Sequence, residues 1–249
     1  MIPIRDENPT AHTAFATIGF IALNCYAWVT AQGLGAEIPL VTSVCELGLI
    51  PAELTGALPP DTPLRLGEHH CISGGNSLAN VFSSMFMHGG WGHILGNLWF
   101  LWIFGDNVED AMGPVRFTVF YLMCGVAAAL AQVASNPQSA VPMVGASGAI
   151  GGVMGAYIRL YPRAHIHMFL FFGFFFTTAA VPAWLMLGYW FGLQLLGGLP
   201  QFVGEGGVAF WAHVGGFVAG AVTVRLFEVP GRLAEHRRMR PRYAARYRL

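Results

Sequence analysis

Five residues carry the chemistry this sequence offers: His88, His93, Asn97, Ser147 and His213. All lie in apolar stretches, where strongly polar groups are costly and tend to mark function. A serine hydroxyl is a weak nucleophile until an adjacent base takes its proton, and imidazole can be that base. Ser147 lies in Gly145-Ala146-Ser147-Gly148, and His213 in Ala212-His213-Val214-Gly215-Gly216. Gly151 and Gly155, like Gly216 and Gly220, are spaced as small-xxx-small packing faces. Two such helices can approach until an imidazole reaches a hydroxyl. His93 and Asn97 are spaced i, i+4 and share one helix face, from which both can donate to a developing oxyanion. A serine at a helix start adds backbone N–H groups and a favourable dipole. His88 falls off that face and is expected to bond the neighbouring loop or water. Taken singly, each signal is weak: a serine in a span most often bonds its own backbone, and glycine pairs alone mean only packing.

The elements that must position these groups follow from composition. Of 249 residues, 55% are hydrophobic and 10% charged, against roughly 25% charge in soluble domains. In water such a chain would expose large apolar patches. A bilayer core takes about 20 apolar residues per helix. Six stretches qualify: 12–31, 78–105, 117–135, 147–160, 180–199 and 207–227. The second includes a lead-in segment, and Val141–Val144 gives the fourth an apolar approach. His167–Phe176 is apolar but short, and reads as a loop lying against the membrane. The first span lacks the charge and cleavage site of a signal peptide. Zero net charge excludes nucleic-acid binding driven by global charge.

Charge placement orients the spans. All 13 basic residues are arginine, and seven lie between Arg232 and Arg248. Arg159 and Arg163 sit between the fourth and fifth spans. The positive-inside rule makes both regions cytoplasmic, and six spans then put both termini there. The opposite loops hold Glu37, Glu46, Glu53, Asp61, Glu68 and Glu205 with only Arg65. The segment 106–116 is expected to be a loop, with Asp106, Glu109 and Asp110 outnumbering Arg116. Spans two, four and six then run inward together, with His93, Ser147 and His213 at a similar depth. At 1.5 Å per residue, His213 lies roughly 10 Å into its helix. The chain divides into a short cytoplasmic N-terminus (1–11), a membrane domain (12–227) and an Arg-rich cytoplasmic tail (228–249). The external loop 32–77 is long and apolar enough to be ordered near the membrane surface. Cys45 and Cys71 share it and could pair, whereas Cys25 and Cys124 read as small buried hydrophobes.

Together these motifs resemble the rhomboid family of intramembrane serine proteases. The carriers are His88-Gly-Gly-Trp-Gly-His93-Ile-Leu-Gly-Asn97, Gly145-Ala-Ser147-Gly148 and Ala212-His213-Val-Gly-Gly216-Phe-Val-Ala-Gly220. Gly105–Gly113 and Pro182-Ala183-Trp184 add to them, so the likeness covers about 78–227. It implies an all-α membrane protein, a rhomboid-like bundle of six transmembrane helices with a long first external loop. It further implies Ser147 as nucleophile, His213 as general base, and His93 and Asn97 as oxyanion donors beside the Ser147 N–H. His88, Gly145, Ala146 and Gly148 would support substrate binding.

The family works with a Ser–His dyad, without an acid, metal or cofactor, and the zinc signature HExxH is absent. Span five would act as a side gate and the first loop as a membrane-dipping element. The implied partners are single-span transmembrane proteins and membrane lipid, not nucleic acid. The implied location is a bacterial inner membrane. Two features depart from the family: the first loop lacks a Trp-Arg motif, and Gly151 stands where some members stack an aromatic on the histidine. A non-catalytic rhomboid-like client binder is the competing reading, although such relatives usually lack the Ser or the His. A histidine-relay transporter is disfavoured by the scarcity of membrane carboxylates.

Overall fold

The computed structural model describes residues 2–66, 69–72, 77–173, 175–199 and 208–247. In chain order these form β1 (Ile2–Asp6), α1 (Phe15–Thr30), α2 (Glu37–Leu47), α3 (Pro51–Leu54), β2 (Pro63–Leu66), β3 (His69–Ile72) and α4 (Ser77–Ser83). Then come α5 (Trp91–Met112), α6 (Pro114–Ser135), α7 (Ser147–Leu160), β4 (His165–Phe172), β5 (Phe175–Pro182), α8 (Ala183–Gly197), α9 (Phe210–Phe227) and α10 (Pro230–Tyr247). A helix overlaps each of the six expected spans, α1, α5, α6, α7, α8 and α9 in turn, although α5 begins only at Trp91 and runs past 105 to Met112. By length and composition, α6 and α9 are long and apolar enough to cross a membrane, and α1 is a shorter apolar helix. Glu68, Glu205 and Arg248, used above to orient the chain, lie outside the described residues.

The helices are apolar outward as well as inward. On α1, Thr17, Phe20, Asn24, Ala27 and Trp28 are buried, while Ile18, Tyr26 and Val29 are exposed on the opposite side. An apolar outward face fits lipid rather than water. Cys25 shares that outward face and is exposed, contrary to the expectation of burial; Cys124 is buried as expected. The main core lies between α5, α6, α7 and α9, around Phe104, Phe117, Phe120, Tyr121 and Tyr157.

Three expectations are corrected. The fold is mostly helical but not all-α. β1, β4 and β5 form an antiparallel sheet in the order β1-β4-β5, and β2 and β3 form a hairpin. The described residues of His167–Phe176 accordingly belong mostly to the paired strands β4 and β5 rather than to a loop. Along β4, Ile166 and Met168 are buried while His165 and His167 are more open, the period of two that a half-buried strand requires. Nor is 106–116 a loop, because α5 runs on to Met112. Only Gly113, at φ 81°, separates it from Pro114 at the start of α6, the Gly-stop and Pro-start of adjacent helices.

The acids at 106–116 have intramolecular work instead. Glu109 accepts the N–H of Ala16 (2.9 Å) and of Thr17 (2.7 Å), capping the start of α1. Asp110 accepts the N–H of Ala11 (3.0 Å) and of His12 (3.1 Å). β1 docks beside them: Tyr157 donates its hydroxyl to Asp6 at 2.5 Å, and His167 pairs with Glu7. Arg232 of α10 donates to the Asp110 carbonyl at 3.4 Å. The N-terminal strand, the connection between α7 and α8, and the start of α10 therefore share one end of the bundle. Between α1 and α4 the described residues include the helices α2 and α3 and the paired strands β2 and β3, with Cys45 and Cys71 joined by a disulfide.

Candidate active site

The centre of the site is the contact between α7 and α9. It is possible because glycine replaces side chains where the two backbones meet. A Cβ on Gly216 would fall 1.9 Å from the Gly148 carbonyl oxygen, and one on Gly220 would fall 1.9 Å from that of Gly152. A Cβ on Gly155 would fall 2.0 Å from the Phe217 carbonyl oxygen. The expected Gly216/Gly220 face thus meets α7, but opposite Gly148 and Gly152, and of the expected Gly151/Gly155 pair Gly155 is the one in tight contact. Gly151 is the looser member, since its Cβ would stand 3.0 Å from the His213 carbonyl oxygen.

At the top of this contact, Ser147 is the first residue of α7 and His213 lies in the first turn of α9. Ser147 Oγ is 2.8 Å from His213 Nε2. The other ring nitrogen, Nδ1, is 2.8 Å from Gln194 Oε1 on α8. Gln132 of α6 accepts the Ala212 N–H at 3.2 Å, tying the start of α9 to α6.

α5 supplies the facing groups. His93 Nδ1 accepts the Gly89 N–H at 3.2 Å, which leaves Nε2 to carry the ring proton. That nitrogen faces Gly145: a Cβ there would fall 2.7 Å from His93 Nε2 and 3.4 Å from Ser147 Oγ. Gly145 also adopts φ 126°, so both space and backbone exclude a side chain. Asn97, one turn on, is only 7% exposed, and its Nδ2 has no hydrogen-bond partner among the described residues. A buried donor without a partner is costly and calls for an explanation. His93, Asn97, Val144, Ser147, Trp190 and His213 all line one cavity of about 340 Å³, spacious enough to hold water.

His88 departs from expectation. It is fully buried, with its ring edge-on to His93 at 5.2 Å between centroids, and neither ring nitrogen has a partner among the described residues. Its backbone, not its ring, meets the loop: Gln32 accepts the His88 N–H at 2.8 Å and donates to the His88 carbonyl at 2.7 Å. Ala146 is buried as the residue preceding α7, and Gly148 packs on Ala128, where a Cβ would fall 2.6 Å from the alanine methyl.

A family model described as Rhomboid domain matches residues 75–228. The chain belongs to the rhomboid family. Membership makes it an integral membrane protein. It is 33% identical over 147 residues to Rhomboid-like protease 5 of Toxoplasma gondii, a match covering 56% of this chain and 15% of that protein. It is 30% identical over 99 residues to Rhomboid protein 1, mitochondrial, of Saccharomyces cerevisiae, covering 38% of this chain and 29% of the relative. The Rhomboid protease GluP of Bacillus subtilis is 35% identical over 85 residues, covering 33% and 16%. The chain thus spans less than a third of the length of each of these relatives.

Sequence reasoning missed two contributors to this rhomboid site. Gln194 is an amide inside an apolar span, the same signal that marked Asn97, and was legible on that ground. Trp190 carried no such signal. Its ring sits 5.8 Å from that of His213, centroid to centroid, and only the packing of α8 on α9 reveals it.

Proposed function

We propose that this rhomboid protein is an intramembrane serine endopeptidase acting on single-span transmembrane proteins. The observation that carries the reading is the 2.8 Å contact between Ser147 Oγ and His213 Nε2 in the wall of a cavity. His213 takes the hydroxyl proton as Ser147 attacks the scissile carbonyl. The oxyanion gathers donors from His93 Nε2–H, the Asn97 Nδ2 amide and the Ser147 N–H. His213 then protonates the leaving amine, and water hydrolyses the acyl-enzyme. A helical substrate must unwind locally first, because backbone amides inside a helix are shielded.

The six-span topology, with both termini cytoplasmic in a bacterial inner membrane, belongs to this proposal. So does the division at 1–11, 12–227 and 228–249. It is supported by the shared end of the bundle at which the N-terminal strand, the α7–α8 connection and α10 meet. The Arg-rich tail serves as a topology anchor, and membrane lipid surrounds the outward faces.

The test pairs labelling by a serine-directed fluorophosphonate with cleavage of a model single-span substrate in proteoliposomes. Both should vanish in Ser147→Ala and in His213→Ala. Persistence of both in the two variants would overturn the Ser147–His213 protease reading, and absence of both in the wild type would leave a non-catalytic client binder.

A further inference from the structure

We propose that Gln194 is a positioning residue that fixes the tautomer of His213. The inference rests on Ser147 and His213 being the reacting pair. A neutral imidazole carries one proton, on either nitrogen. Only with that proton on Nδ1 does Nε2 hold the lone pair that accepts the serine hydroxyl. The choice is therefore made by whatever meets Nδ1, and here it is Gln194 Oε1 at 2.8 Å.

A glutamine amide can present its oxygen or its NH2 group, and the neighbouring backbone decides between them. Gln194 Nε2 lies 3.4 Å from the Trp190 carbonyl oxygen, one turn earlier on α8. With the amide turned over, two carbonyl oxygens would face each other there. The NH2 would also point at Nδ1, forcing the ring proton onto Nε2 and toward Ser147. The backbone of α8 thus orients the amide, the amide orients the imidazole proton, and the imidazole is left ready to act as a base. Trp190 adds a side wall to the same ring, centroids 5.8 Å apart and planes inclined at 38°. Both groups come from one face of α8, at i and i+4. His213 is thereby held by an amide rather than by the carboxylate of a Ser-His-Asp triad. The amide supplies direction without a charge.

The experiment compares Gln194→Met, which keeps length and packing but lacks the acceptor, with Gln194→Glu, which keeps an acceptor and adds charge. Cleavage of the model substrate is followed across pH, alongside 15N spectra of histidine-labelled protein and Ser147→Ala as a reference. In Gln194→Met, kcat should fall about tenfold, the worth of one neutral hydrogen bond, with KM little changed. Its 15N spectrum should show His213 losing its single tautomer. In Gln194→Glu, activity should persist at alkaline pH while the acid limb of the rate profile moves up by about one unit, as a carboxylate on Nδ1 favours the imidazolium. A role in packing alone would move neither the acid limb nor the tautomer. Wild-type kcat and an unchanged His213 spectrum in Gln194→Met would overturn the proposal. Should Gln194→Met fail to fold, an unmoved acid limb in Gln194→Glu would overturn it instead. Loss of cleavage in Ser147→Ala together with a wild-type Gln194→Met would sink only the positioning role. Cleavage surviving in Ser147→Ala would sink the dyad and this inference with it.

Discussion

Glu109 receives the Thr17 hydroxyl at 2.8 Å, and both residues are almost wholly buried. With the Ala16 and Thr17 N–H groups bound to the same carboxylate, one side chain of α5 closes the open end of α1. It also holds α1 against the helix that carries His93 and Asn97.

Replacing Glu109 by Ala should therefore destabilise the protein, leaving N–H groups unpaired in a buried setting. The cost is about 1–3 kcal/mol for lost charge-assisted bonds and stranded donors. Thermal unfolding in detergent should show a drop of several degrees. Glu109→Gln, which keeps an acceptor but no charge, should fall between the two.

Asn97 presents the opposite balance. Among the described residues its Nδ2 has no partner, which is a liability in the resting protein and, under the proposed mechanism, an asset when an oxyanion forms. Asn97→Ala should lower kcat by about 10²–10³, the usual worth of one oxyanion donor, while the unfolding temperature stays level or rises. A loss of stability matching the loss of activity would count against an oxyanion role.

The α7–α9 contact predicts a sharp difference between glycines. Gly220→Ala puts a methyl 1.9 Å from a carbonyl oxygen and must push the helices apart. Overpacking of this kind costs about 1–3 kcal/mol, and fluorophosphonate labelling should fall as Ser147 and His213 separate. Gly188→Ala on α8 meets nothing within 4 Å. It should be neutral or stabilising by up to about 1 kcal/mol, the helix preference for alanine.

Asp6 gives a pH dependence. Burial raises its carboxyl from 3.8 to about 7; the Tyr157 bond works against the shift and the nearby Asp106 with it. The native state thus favours the protonated acid. Its contribution to stability is full below the unfolded value and is lost as pH climbs through 7. Asp6→Asn keeps an acceptor for Tyr157 and cannot ionise. Its unfolding temperature relative to wild type should rise steadily between about pH 4 and pH 8, the window between the two titrations. A difference that is flat with pH would refute the shift.

The sequence by itself determined the rhomboid family, the candidate site residues and most of the helical framework that holds them. Apolar length marked a helix in every expected span, because a bilayer tolerates few alternatives. The costliness of polar groups in such helices singled out His93, Asn97, Ser147 and His213, and glycine spacing pointed to close packing around them. What the sequence could not decide was which groups meet. Gly148 and Gly152, rather than the Gly151/Gly155 pair alone, face α9, because helix crossing sets that register and local spacing does not. Glu109 and Asp110 looked like loop charges until the docking of α1 and the N-terminus gave them N–H groups to accept. His167–Phe176 read as an apolar loop because a strand pairs with partners distant in the chain, here Ile2–Asp6. The hydrogen bond from His213 to Gln194 exists only because α8 packs on α9, a tertiary contact that no periodicity within either helix records.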